Sequence, residues 1–453
     1  MNKSKKYSTS VRAIGLALCI VLGLLAGCDN QNRTQNGSAD KQADTVKQKA
    51  STDNIRNIGL TLPVLDALFF EDGFKADLKS RLQLTDQQIL QLKTAASASV
   101  ADLSEDGIDY LGSAREATRR SDEQIRTILG QEKADQLYQL VAERYAGGDV
   151  EGLFPTQPNA VPSDTRVVVN APAFRMDVFQ NGKLLKTYRV GIGYPEFPLP
   201  TGMRRAENII FNPTWTPPDE PWVKGKVQAG KKVAAGSELN PLGPIKIPIG
   251  MPSLIHGGKE VSKLGNFASH GCVGLTDGQV QDFTGMLTQL AGKPMSMDSI
   301  LGFEKSKRKT QSVKLEKPVL IELRYETIVA GGGSLHIYRD VYERGTNTLE
   351  NATQVLKVYG VGYQSLSPQE KEALTNALNE MNLDSQGNPI VGNIEAAGDT
   401  TIKTKDGVAP GKVERAKKGK VTRAVAGRKE IAVPVAGLQG KGYPGPVNLD
   451  EGK

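Results

Sequence analysis

The chain has 453 residues, of which 38% are hydrophobic and 24% charged, and it carries a formal net charge of +7. That length accommodates two or three globular domains, and 48 glycines and 24 prolines point to long loops and tails. Residues 400–453 hold 12 Lys/Arg against five Asp/Glu, so the basic excess belongs to the tail and a basic folded body is excluded.

The N-terminus sets the compartment. Lys3, Lys5, Lys6 and Arg12 form a positive start, and the apolar run from Val11 to Leu25 is too short to span a bilayer comfortably. It ends in Leu25-Ala26-Gly27-Cys28, which resembles the lipobox of bacterial lipoproteins. The resemblance implies that residues 1–27 are a signal peptide and that the Cys28 thiol is lipidated, with further acylation of the new N-terminus. Residues 28–54 are polar and read as a flexible tether. A bacterial envelope location follows, on the periplasmic side and lipid-anchored, where no nucleic-acid partner is expected. Cys19 lies in the removed segment, which leaves Cys272 as the free thiol of an exported protein.

Residues 55–146 read as a small bundle of three or four helices. Thr85-Asp86-Gln87-Gln88 has the form of a capping box, followed by Ile89, Leu92, Ala96 and Val100 at helical spacing. Ser121-Asp122-Glu123-Gln124 repeats the box ahead of Ile125, Ile128 and Leu129. Nothing in this region gathers catalytic side chains, so its expected role is structural or protein-binding.

Gly147 to Pro162 reads as a linker. A β-rich domain, residues 164–300, then opens with a strand at Arg166–Asn170. A hairpin follows, whose Asn181-Gly182 pair suits a two-residue turn. Ser253 to Gly257 reads as a strand ending at His256, and Thr276-Asp277-Gly278-Gln279 caps a helix just beyond Cys272. A helix start close to a thiol favours the thiolate, although Val273 to Leu275 intervene. Residues 315–391 read as a C-terminal α/β extension and 392–453 as a disordered basic tail. The fold class is multi-domain α+β: a small N-terminal helical bundle, a central β-rich domain, and a C-terminal β-containing extension with a disordered basic tail.

The chain has only three histidines and three cysteines, yet His270 stands two residues before Cys272. A thiolate nucleophile needs a base held in one tautomer and donors aimed at the developing oxyanion. Cys272 supplies the thiol, and His256 and His270 supply imidazoles. Gly271 lets a carbonyl approach the backbone amides, and Ser269 can bond a neighbouring group. A structural zinc site built on His256, His270 and Cys272 falls short of the usual four ligands, so no metal is expected. His336 lies in another segment and reads as a half-exposed strand residue without a partner. Trp215 and Trp222 read either as groove lining or as packing, and Asp219 and Glu220 as solvated loop charges.

His256-Gly257, twelve residues between His256 and Ser269, then Ser269-His270-Gly271-Cys272, is similar to the signature of the L,D-transpeptidases of YkuD type. "FNPTWTPP", "NPLGPIKIPIG" and "LIHGG" precede it in the family's order. The resemblance implies that Cys272 is the nucleophile, His256 the base, and the Gly257 carbonyl the group holding that imidazole. It further implies that His270 orders the site and that amides around Gly271 face the oxyanion. The implied partners are peptidoglycan stem peptides, with no cofactor; a carboxypeptidase and a non-catalytic wall-binding lipoprotein are the alternatives. Gly274 departs from the pattern, since that position usually carries Arg or Asn.

Overall fold

The structure is a computed structural model that describes residues 59–71, 73–101, 114–145, 157–217, 227–228, 230–250, 253–306, 309–385, 387–390 and 424–452. The expected leader, Cys28, the tether, the Val100 side chain, Asp219, Glu220, Trp222 and residues 391–423 lie outside them.

Among the described residues five helices come first: α1 (Leu62–Phe69), α2 (Phe74–Ser80), α3 (Asp86–Ala101), α4 (Ala114–Leu129) and α5 (Gln131–Tyr145). Thr61 caps α1 by accepting from the Val64 amide, and Thr85 and Gln88 close the expected box at α3 with two reciprocal bonds of 3.1 Å. The second box does not form. Ser121 is buried inside α4, and the next helix begins after Gly130, at φ +77°. Ala117, Ser121, Ile125 and Leu129 recur every four residues on one buried face, and the continuity of that face outweighs the local capping signal. Leu65, Leu68, Leu78, Leu92, Ile125 and Leu137 fill the helical core.

The central domain contains β1 (Arg166–Asn170), β2 (Arg175–Gln180), β3 (Lys183–Arg189), β4 (Ile192–Gly193), β5 (Gly202–Phe211), β6 (Ile245–Pro248), β7 (Leu254–His256), β8 (Phe267–Ser269) and β9 (Val273–Gly274). Helices α6 (Asp277–Leu290) and α7 (Met297–Glu304) and the long strand β10 (Gln311–Arg324) complete it. Asn181 and Gly182 both have positive φ, 49° and 77°, as the β2–β3 turn requires. The main sheet runs β3-β2-β1-β10-β5-β6-β7-β9, and β4 pairs separately with β8. Val280, Phe283 and Leu287 of α6 pack into the core under this sheet. The boundary expected at residue 315 is corrected: β10 lies in the middle of the sheet, parallel to β1 and antiparallel to β5. Its Val319, Ile321 and Leu323 are buried, so β10 belongs to the central domain.

Beyond it, β11 (Ile328–Gly331), β12 (Ser334–Tyr338) and β13 (Glu430–Pro434) make a three-stranded sheet covered by α8 (Leu349–Val358) and α9 (Pro368–Met381). The disordered tail expected from residue 392 onward is corrected for residues 424–452. β13 pairs with β12, placing Ile431 opposite Ile337. Farther on, the Asp450 carbonyl accepts from the Arg189 amide while its own amide donates to Thr187, both at 2.9 Å. A five-residue alternation hidden among Lys and Gly carried too weak a periodic signal to be read.

The helical region joins the central domain along a tight seam. The Thr61 hydroxyl donates to the Glu196 carbonyl at 2.6 Å. Arg204, fully buried, lies 4.5 Å over the Tyr145 ring, its Nη2 donating to the Thr201 carbonyl at 3.1 Å. Gly250, at φ +97°, leaves no room for a side chain: a Cβ there would stand 1.3 Å from the Tyr145 carbonyl oxygen.

Candidate active site

The site grows out of one row across the sheet. Lys246 of β6 is opposite His256 of β7, and His256 is opposite Gly274 of β9. Directly opposed residues share a face, and alternate residues along a strand return to it. Cys272, two residues before Gly274, therefore lies on the face of His256. Ile247, Ile255 and Val273 point the other way, into the core. The shared face opens into a cleft of about 1040 Å³ lined by Lys246, Ser253, His256, Lys259, His270 and Cys272 among others.

His256 is buried, and its Nδ1 is 2.7 Å from the Gly257 carbonyl oxygen. A carbonyl only accepts, so this bond places the proton on Nδ1 and leaves Nε2 with its lone pair. Burial first, and then the positive charges of Lys259 and Lys246, push the imidazole down to about 3, against a smaller upward pull from Gly257. The ring is neutral at physiological pH. Burial likewise pushes the Cys272 thiol up, opposed by a backbone hydrogen bond from Leu254 and by Lys259 and Lys246. The two groups are thus a thiol and a neutral imidazole.

The turn that carries the thiol is fastened by Ser269. Its hydroxyl donates to the Cys272 carbonyl at 2.6 Å and accepts from the Cys272 amide at 3.0 Å. The Cys272 amide is thereby engaged within the turn. Gly271 has φ +86°, a conformation that needs glycine, and its carbonyl accepts from the Ser253 hydroxyl at 2.8 Å. His270 is held edge-on between Tyr194 and Phe197, with ring centroids 5.0 and 4.7 Å away. The first turn of α6 is closed by its own Thr276–Gln279 box, and the backbone donor at the sulfur is Leu254.

The structure brings together Cys272, His256, His270, Gly271, Ser269 and Gly257. Trp215 lines the cleft and is bridged to Val233. His336 stands apart and is corrected in one respect: its Nδ1 is 2.6 Å from the Glu430 carboxylate and its Nε2 3.1 Å from the Gly331 carbonyl. Two contributions were missed. Val64, Ala67, Phe70, Glu71 and Tyr145 of the helical region wall one side of the cleft. Lys259 lies over Gly274, where a Cβ would stand 2.8 Å from the Lys259 Cγ. Neither has a local signal, because each depends on how distant segments pack. Among the described residues no group of three or more potential ligands could hold a metal ion, and no helix is long and apolar enough to cross a membrane.

Residues 164–314 match the family model of the L,D-transpeptidase catalytic domain, YkuD. That stretch, from the approach to β1 into β10, is a domain of the YkuD family, and the helical region and the C-terminal sheet lie outside the match. Among solved structures, the chain is similar to the catalytic domain of the L,D-transpeptidase of E. faecium, at 17% identity over 36% of this chain and 99% of that one, TM-score 0.23. It is also similar to an L,D-transpeptidase of Mycobacterium smegmatis, at 15% identity over 36% of this chain and 58% of that one, TM-score 0.22. A third is L,D-transpeptidase 3 of Mycobacterium tuberculosis with a faropenem-derived adduct, at 13% over 35% and 60%, TM-score 0.20. At such scores the assignment rests on the family match. No curated protein matches the chain.

Proposed function

We propose that this protein is a peptidoglycan L,D-transpeptidase of the bacterial envelope, anchored through lipid on Cys28. Cys272 is the nucleophile and His256 the general base. The Cys272 sulfur attacks the carbonyl of the L-centred third residue of a tetrapeptide stem while His256 Nε2 takes the thiol proton. The tetrahedral oxyanion faces the Gly271 amide. The intermediate collapses to a thioester as the imidazolium gives its proton to the departing D-Ala amine. An acceptor amine then takes the acyl group, giving a 3→3 cross-link or an attached lipoprotein; water in that place makes the same site a carboxypeptidase.

The observation that carries this reading is the tautomer. With Nδ1 committed to Gly257, the basic nitrogen of His256 is the one left for the strand face and cleft it shares with Cys272. The test is to incubate the full chain with a tetrapeptide stem and weigh it. An acyl adduct on Cys272 with release of D-Ala is expected, and none with Cys272→Ala. Absence of any adduct on the wild-type protein, with the peptide still bound, overturns catalysis in favour of a non-catalytic wall-binding role. Cys28→Ser is expected to release the protein from the membrane fraction.

A further inference from the structure

The helical region lies outside the matched domain, yet Val64, Ala67, Phe70 and Tyr145 wall one side of the cleft. The strand order fixes which side. Gly274 of β9 is paired with His256 of β7 along one edge and bridged to Gly191, next to β4, along the other. A strand has two hydrogen-bonding edges, so the Cys272 turn stands between the base and the β4 segment. From β4 the chain runs into Tyr194 and Phe197, whose rings lie 5.0 and 4.7 Å from that of His270. Phe197 is itself buried in the helical core. The order across the cleft is therefore His256, the Cys272 turn, His270, Phe197 and α1.

The wall is fastened to the domain it flanks. The Thr61 hydroxyl at the start of α1 donates to the Glu196 carbonyl at 2.6 Å, and Tyr145 at the end of α5 is packed against Arg204 and Gly250. Phe69 sets its ring edge-on to Phe74, 5.4 Å away, whereas the next residue, Phe70, is 56% exposed and lines the cleft. Apolar side chains in a cleft wall are where a ligand buries its own apolar surface. The reaction says which part of the ligand that is. The leaving amine departs on the His256 side, because that imidazole protonates it, and the acceptor amine enters along the same path. The acyl portion of the donor, upstream of the attacked carbonyl, extends the other way, toward Phe197 and α1.

We propose that Phe70, with Val64 and Ala67 of α1, forms a subsite for the acyl side of the donor peptide, so that the helical region reads the residues preceding the attacked bond. This rests on the transpeptidase reading for the direction of the peptide. Phe70 is then a specificity-determining residue supplied from outside the catalytic domain, and the helical region is part of the active site.

The experiment compares two donors on the full chain, the tetrapeptide stem and the same peptide lacking its first two residues, by the rate at which each acylates Cys272 in mass spectrometry. Truncation is expected to cost the wild-type protein about 10-fold in kcat/KM, mostly through KM. Phe70→Ser is expected to bring that ratio toward one by weakening the longer donor alone, and Phe70→Leu to restore most of it; unchanged urea midpoints verify that both variants fold. A wild-type ratio near one, or an undiminished ratio in Phe70→Ser, overturns the subsite. A loss in Phe70→Ser confined to transfer of the acyl group onto the acceptor amine, with acylation at the parental rate, overturns its assignment to the donor side. If wild-type Cys272 takes no acyl group from either peptide, the transferase reading fails, and calorimetry of the same two peptides on the full chain carrying Cys272→Ala decides the subsite separately. Tighter binding of the longer peptide that Phe70→Ser removes supports it, and equal affinity or no binding overturns it.

Discussion

Replacing Ser269 with alanine removes one hydroxyl and strands two buried groups. The Cys272 amide loses the acceptor at 3.0 Å, and the Cys272 carbonyl loses the donor at 2.6 Å. Ser269 is 5% exposed and Cys272 9%, so bulk water does not replace both partners freely. An unsatisfied buried polar group costs about 1–3 kcal/mol. A carbonyl with two lone pairs suffers less than an amide, and the adjacent cleft admits some water. The sum is about 2 kcal/mol of folding stability, to be read as a lower urea midpoint at unchanged slope. Function falls further than stability does, because the released turn no longer holds the sulfur. A displacement of about 1 Å at a reacting atom costs on the order of 100-fold in rate. Acylation of Cys272 by the tetrapeptide stem, followed by mass spectrometry at a temperature where the variant is fully folded, measures that loss. A stability change under about 0.5 kcal/mol, or a destabilised variant that acylates at the parental rate, refutes the fastening role.

Four further outcomes are expected. Because His256 is held at about 3 by burial and by Lys259 and Lys246, the acylation rate should stay flat as pH falls through 6.5, where an ordinary histidine base switches off; an acid limb centred near 6.5 overturns that environment. The same depressed value means that the unfolded chain binds the extra proton first, so stability is full above about 6.5 and falls by up to about 1.4 kcal/mol per pH unit toward the folded value, a slope that His256→Gln should abolish in urea titrations. Gly250→Ala forces a Cβ against the Tyr145 carbonyl oxygen at 1.3 Å from a backbone at φ +97°, so the seam must open. A loss of more than about 2 kcal/mol and faster proteolysis of the helical region are expected, and parental stability contradicts close packing there. The Glu430 carboxylate raises His336 above its ordinary value; its contribution is therefore complete below about 6.5 and lost as pH rises through the folded value. Amide exchange in β13 should quicken over that rise, and His336→Gln should erase the dependence.

What could be read from the sequence was local. Asn181-Gly182 announced its turn because the two positive φ angles suit only a few residue types. Thr276 and Gln279 announced α6 because both partners of the box lie within three residues. The grouping of Ser269, His270, Gly271 and Cys272 was legible for the same reason, and His256 could be joined to it through a spacing known from a family. Ser121 misled because the pattern that fits a cap also fits a buried helix face, and only the packing partner decides between them. The lysine over Gly274 and the helical wall of the cleft could not be read at all. Each is a meeting of segments far apart in the chain, and no periodicity encodes it.

The placement of β10 also sets the order in which the molecule can be completed. Arg166 opposes Leu320, so β1 leaves the ribosome or translocon about 150 residues ahead of its parallel neighbour, and non-local pairing of that kind is slow. Until β10 arrives, β1 and β5 each present an unpaired edge, the condition under which chains aggregate. The outer border of β3 stays bare longer still, since Val447 and Asp450 cover it. A chain interrupted before residue 320 therefore has every residue of the cleft but lacks the strand segment that joins β1 to β5.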